Sequence, residues 1–319
     1  DQARLSPAWN ALDQKITSLQ KQSDSQNPDA FKLSVVNALW GQEDYTFLPA
    51  YLDLLATNYG AGMHVLNFEA NPDQARQTIN DWVSRETEQK INDLLPPQSI
   101  TELTRLVLTN AVYFKAAWEH PFDKQATQEG AFTLPDGRLT SVPMMSQEAV
   151  FPYLHGDGYQ AVELPYVGGE LSMLVVLPDP DQMDAFAAAL DGPHLEALAQ
   201  NLAPTPLALK MPPFKIDSTF ALADTLAKMG MTDAFNPDLA DLSGMDGSDR
   251  LYISSVAHKA YITVDEQGTE AAAATGVVVG TRAMPLDQIT LTIDHPFLFL
   301  IRDRQTGAIL FLGQVNDPS

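Results

Sequence analysis

The sequence predicts an α+β protein built on large, mostly antiparallel sheets, and three observations carry that prediction. Apolar residues make up 45% of 319 positions, enough for a large core. The first third of the chain alternates helical and extended apolar spacings, whereas extended segments dominate from Gly130 onward. Proline and glycine are scattered, with no internal repeat, low-complexity tail or Gly/Ser linker, so residues 1–319 read as one domain.

Residues 9–19 carry Trp9, Leu12, Ile16 and Leu19 at helical spacing. Residues 31–40 read as a buried strand, 46–59 as an amphipathic helix and 63–68 as a strand. Asn71-Pro72-Asp73 marks the start of another helix, with Ile79, Trp82 and Val83 on its inner face. Residues 106–117 form a long run rich in β-branched and aromatic residues, a strand. Pro135-Asp136-Gly137 predicts a hairpin turn between strands 131–134 and 139–144, and Gly168-Gly169 separates strands 159–165 and 171–178. Residues 184–202 are helical, interrupted at Asp191-Gly192-Pro193; 207–215 is a strand and 219–229 a helix. Strands at 289–292, 297–302 and 308–315 close the chain, and the last two lack alternation, so both are expected to be buried on both faces.

Charge and composition exclude several functions. Lys and Arg total 19 against 41 Asp and Glu, a formal net charge of -22. Such a surface repels phosphate backbones, acidic membrane surfaces and heparin-type polyanions. With no cysteine there is no disulfide, thiolate nucleophile or Cys-ligated metal. No apolar run is long enough to span a bilayer. The six histidines include no His-Glu-x-x-His pattern, and neither a Gly-x-Ser-x-Gly elbow nor a Gly-Lys-Ser/Thr loop is present. Gly276 to Gly280 lacks a third glycine and a following helix, so it is not read as a phosphate loop. No enzyme chemistry, cofactor or metal is indicated.

The informative stretch is 264–286, VDEQGTEAAAATGVVVGTRAMPL, lying between two strands. A connection this long without polar turn chemistry is unusual in a packed domain. If extended, one face carries Thr269, Ala271, Ala273, Thr275, Val277, Val279 and Thr281, with no charge, ring or proline. Such a face can slide between packed strands without burying a charge. The segment therefore reads as a latent strand held outside a sheet. The competing reading is an ordinary helical turn over Glu270, Ala271, Ala272, Ala273 and Ala274; the Val-Val-Val run and two glycines weigh against it.

At this point the residues resemble the serpin family. Glu266-Gln267-Gly268-Thr269-Glu270-Ala271-Ala272 is similar to that family's inhibitory hinge. Leu108 to Trp118 resembles its long central strand, and Ile79-Asn80-Asp81-Trp82-Val83 the helix over that sheet. Val142-Pro143-Met144-Met145, Ala240 to Gly244, His258-Lys259-Ala260, Asp294 to Phe299 and Phe311-Leu312-Gly313 resemble further blocks in the family's order. The resemblance implies the serpin fold: a large central sheet, two further sheets, surrounding helices and an exposed reactive-centre loop, here 266–288. Family members begin with further helices that nothing here matches, so the natural protein is expected to be longer at its N-terminus.

The resemblance also implies a mechanism, insertion of a loop into a sheet, of which serpins are the type example. The family's register places the bait residue sixteen positions after Glu266, at Arg282, and the reactive bond at Arg282–Ala283. A register one residue earlier puts Thr281 at the bond. Arginine there implies a trypsin-like serine protease as covalent partner of a monomeric inhibitor. The hinge would be Glu266, Gly268, Thr269, Glu270 and Ala271 to Ala274. Asn110 and His258 resemble the pair that latches the central strands where they must part, and Trp118 the residue where insertion begins. On spacing alone the first two also read as a satisfied core pair and the third as a core tryptophan. The alternatives are a non-inhibitory serpin acting as carrier or chaperone, for which bulky, charged or proline-bearing hinges are typical, and, more distantly, a protease or esterase.

Overall fold

The computed structural model describes residues 2–24, 31–59, 63–248, 251–269 and 288–319. The chain opens with α1 (Gln2–Asp24), β1 (Phe31–Gln42), α2 (Pro49–Tyr59), β2 (Met63–Leu66), α3 (Pro72–Glu86) and β3 (Leu106–Ala117). It continues with β4 (Gln128–Thr133), β5 (Leu139–His155), β6 (Tyr159–Pro165), β7 (Leu171–Pro178), α4 (Met183–Ala189) and α5 (Gly192–Gln200). Then follow β8 (Ala203–Met211), β9 (Phe214–Ala221), α6 (Ala223–Lys228) and α7 (Ser243–Asp246). The last strands are β10 (Val256–Asp265), β11 (Gly268–Thr269), β12 (Ile289–Thr292), β13 (Phe297–Asp303) and β14 (Ile309–Val315). Two compact units are formed, one of Asp1–Gln22, Lys32–Phe114 and Ile216–Tyr261, the other of Ser23–Phe31, Lys115–Lys215 and Ile262–Ser319. Strands β3 and β10 each begin in the first unit and end in the second.

In the first unit β1 pairs with β2 in parallel, from Leu39↔Met63 to Gln42↔Leu66, and β1, β3, β10 and β9 follow across the sheet. The helix α3 begins at Pro72, whose missing N–H is one the first turn leaves unpaired anyway. Asn71 caps it through its backbone carbonyl, which accepts from Ala75 at 3.0 Å, rather than through its side chain. Ile79 and Val83 face a core with Trp40, Val107 and Ala111, as the helical spacing predicts, while Trp82 is half-buried at its edge. Asn80, also buried, fixes the segment after the helix by bonding both the carbonyl and the amide of Leu95, at 3.0 and 2.9 Å. The helix expected over 219–229 starts only at Ala223. Residues through Ala221 belong to β9, and Leu222 still donates its amide to Val256 at the start of β10.

The second unit holds a sheet in the order β12-β8-β5-β6-β7-β13-β14, antiparallel except for the β12–β8 pair. Strand β5 changes partner midway: Leu139 to Met144 pair with β4, and Met145 to Tyr153 with β8. A hairpin sheet and a larger sheet thus share one strand. The hairpin turn closes at Pro135-Asp136-Gly137, where Gly137 has φ 81° and Asp136 accepts from the Arg138 amide at 3.0 Å. Strands β7 and β13 are buried along nearly their whole length, as their continuous apolar runs require. Strand β14 is not. Ile309 and Leu312 are exposed, because β14 is the edge of its sheet and covers the core with one face only. One buried acid, Glu163, pairs with the Arg302 guanidinium at 2.6 Å and accepts from the Ser172 hydroxyl at 2.8 Å.

Candidate functional site

Strand β11 is two residues long, and both lie inside a sheet. Gly268 pairs with Ala117 of β3 and Asp265 of β10; Thr269 pairs with Ala116 and Val264. The two antiparallel ladders place β11 between β3 and β10 in the second unit. The turn leading into it is fixed from several sides. Gln267 donates its amide to the Asp265 carboxylate at 2.8 Å and accepts from the Trp118 amide at 2.9 Å. The Glu266 carbonyl accepts from the Phe122 amide at 2.8 Å, and its carboxylate accepts from the Thr127 hydroxyl at 2.7 Å.

Glycine is required at the first residue of β11. Gly268 has φ 145°, and a β-carbon there would lie 2.1 Å from the Ala116 carbonyl oxygen. The next residue, Thr269, is fully buried, with its hydroxyl 2.7 Å from the Tyr166 hydroxyl. Tyr166 follows β6, and its ring stacks on Trp118 with centroids 4.7 Å apart and planes 8° from parallel. The Trp118 indole N–H in turn donates to the Asp265 carbonyl at 2.9 Å. Burial pushes the Tyr166 phenol far above its ordinary range, so it remains a neutral hydroxyl.

In the first unit the earlier residues of the same two strands meet directly. Val256 to Tyr261 of β10 pair in parallel with Leu108 to Tyr113 of β3. Across this seam the His258 Nδ1 donates to the Asn110 side-chain oxygen, while the Asn110 amide donates to the Asn37 oxygen of β1 at 2.6 Å. Three strands are thereby joined by one polar chain, and the His258 proton is assigned to Nδ1 because Asn110 presents its oxygen there. Phe220 of β9 lies over the His258 ring with centroids 5.9 Å apart. Burial holds the His258 pKa below its ordinary value. Beside it Lys259 pairs with Asp217 at 3.1 Å. Among the described residues no group of three or more His, Asp or Glu side chains is placed to hold a metal ion.

A model of the serpin family, described as serine protease inhibitor, matches residues 5–318. The chain belongs to the serpin family. It is 39% identical over 286 residues to antithrombin-III of Mus musculus, covering 88% of this chain and 62% of that protein. It is 40% identical over 295 residues to leukocyte elastase inhibitor A of Rattus norvegicus, covering 90% of this chain and 78% of that protein. The solved structure of the thermophilic serpin tengpin in its native state matches with a TM-score of 0.83 and 30% identity, over 93% of this chain and 77% of that chain. Uncleaved ovalbumin matches with a TM-score of 0.81 and 31% identity, over 94% of this chain and 78% of that chain. The chain therefore has the serpin fold, and it spans less than two thirds of the antithrombin-III length.

Within this serpin the structure brings together several residues singled out in the sequence. Glu266, Gly268, Thr269 and Trp118 surround one turn, and Asn110 bonds His258 across the seam. The other residues expected to form the hinge, Glu270 and Ala271 to Ala274, and the expected reactive bond Arg282–Ala283, lie outside the described residues. Two participants were not singled out. Asn37 completes the polar chain from β1, and the Tyr166 hydroxyl bonds that of Thr269. The visible signal for Tyr166 was an aromatic residue placed just before Gly168-Gly169, where turn chemistry alone calls for small or polar residues.

Proposed function

We propose that this serpin is a single-use inhibitor of trypsin-like serine proteases. One observation carries the reading: Gly268 and Thr269, the first residues of the bait-bearing segment, already occupy a slot between β3 and β10. The serine of the protease attacks the Arg282 carbonyl carbon, the Ala283 amine leaves, and an acyl-enzyme results. The freed segment then follows Thr269 between the two strands as a new strand. About fourteen residues at roughly 3.3 Å each carry the attached protease on the order of 45 Å. The new ladder contributes about a dozen hydrogen bonds at about 1 kcal/mol net each, enough to distort the protease before water completes deacylation.

Small residues throughout the hinge support fast insertion, and the arginine at the bait position supports a protease with an acidic specificity pocket. The names of the relatives point to different proteases, thrombin for one and an elastase for the other, so the choice of target rests on Arg282. Mixing the protein with trypsin tests this. An inhibitor gives a complex stable in denaturing gel electrophoresis, and the released fragment begins at Ala283. Cleavage without a complex favours the carrier reading instead.

A further inference from the structure

We propose that Tyr166 is a positioning residue that seats Thr269 in the sheet before any protease arrives, making the slot selective for a small hydroxyl-bearing residue at the head of the inserting strand. This deepens the inhibitor reading and rests on it. The contacts form a closed circuit. The Trp118 indole is fixed by the Asp265 carbonyl; Asp265 opens the turn that delivers Thr269; Thr269 meets the Tyr166 hydroxyl; and the Tyr166 ring lies flat on Trp118. Each member orients the next, so the phenol oxygen points at one place. That place is buried, where an unpaired hydroxyl is far more costly than at a surface. The threonine hydroxyl reaches the phenol from a fully buried position, where a charged side chain would lose its hydration. Because the phenol stays neutral, the contact persists at physiological pH.

The role separates from simple core packing by a double-mutant cycle of Tyr166→Phe, Thr269→Val and the pair, with Thr269→Ser as the conservative rescue. The first readout is the number of inhibitor molecules consumed per trypsin molecule trapped. Tyr166→Phe should raise it about fivefold, Thr269→Val by a similar factor, and the double variant by no more than either alone, whereas Thr269→Ser should stay near wild type. The second readout is the cutting rate at the hinge by a broad-specificity protease that is not a target, which should rise in the same non-additive pattern. Multiplying effects, or an unchanged Tyr166→Phe variant, would overturn the inference. If wild-type protein forms no complex with trypsin, the inhibitor reading fails, and the hinge-cutting cycle alone still decides whether Tyr166 seats Thr269. Should Tyr166→Phe not fold, the comparison of Thr269→Val with Thr269→Ser decides it, because only the loss of the hydroxyl should loosen the hinge.

Discussion

At Gly268 the backbone has φ 145°, and the Ala116 carbonyl oxygen stands where a β-carbon would be. Alanine there would combine backbone strain with a direct clash, a penalty of about 2–4 kcal/mol. Gly268→Ala should therefore eject β11 from the sheet, lower the melting temperature by about 5 °C at roughly 2 °C per kcal/mol for a chain this large, and expose the hinge to proteolysis. An unchanged melting curve would contradict the placement of β11. His258 gives a second prediction with a definite sign. Burial lowers its native pKa, so the unfolded chain binds the proton first as pH falls. Its stabilising contribution is complete above the ordinary histidine pKa of about 6.5 and is lost as pH drops below that value toward the lower native one. His258→Gln should flatten that part of the profile, measured as the change in denaturation midpoint between about pH 7.5 and 5.5. An identical pH dependence in the variant would remove His258 as its source. At this scale the family resemblance singled out Gly268, Thr269, Trp118, Asn110 and His258, and the structure places the first three around one turn and the last two in one hydrogen bond. The sequence did not reveal Tyr166 or Asn37. Their partners lie 103 and 73 positions away along the chain, and a hydrogen bond over that distance leaves no periodic trace.

The long strands were the legible elements: β3, rich in β-branched and aromatic residues, and β7, a continuous apolar run buried on both faces, match the predicted limits. The misread element was β9. Leu222, Leu226 and Met229 fall at helical spacing, yet pairing with β10 draws the residues before them into a sheet, a tertiary preference overriding a local one. Strand β11 is too short for any periodicity to mark it. Its position between β3 and β10 has a consequence for the element that would lengthen it. Every second residue continuing from Thr269 would enter the same buried face, and the first such side chain has no room for a charge. Thr269→Arg should therefore block entry at its first step and turn the protein from inhibitor into substrate. Trypsin would still cut the loop, but complexes stable to denaturing gels would disappear. Persistence of those complexes would mean that insertion does not begin at β11.

For the molecule as a whole, the fold class was legible from the order of helices and strands, but the sheet order was not. The two strands that flank β11 carry Asn110 and His258, 148 positions apart, and only the folded chain shows that they pair directly from Leu108 to Tyr113 and are separated by β11 at Ala116 and Ala117. A sheet with a slot occupied by two residues, and a segment of strand-forming residues beyond them, is not at its free-energy minimum if that segment can enter. On the proposed mechanism, cutting Arg282–Ala283 frees that segment to enter. The gain of about a dozen ladder hydrogen bonds, at about 1 kcal/mol each, translates at roughly 2 °C per kcal/mol into a rise in melting temperature of about 20 °C. Calorimetry on intact protein and on protein cut once in the loop measures this directly. The cut form should also resist a second protease throughout 269–281, because an inserted strand offers no accessible bond. A cut form that melts with the intact one, and whose loop is still digested, would leave the slot between β3 and β10 as a structural feature without a mechanical role.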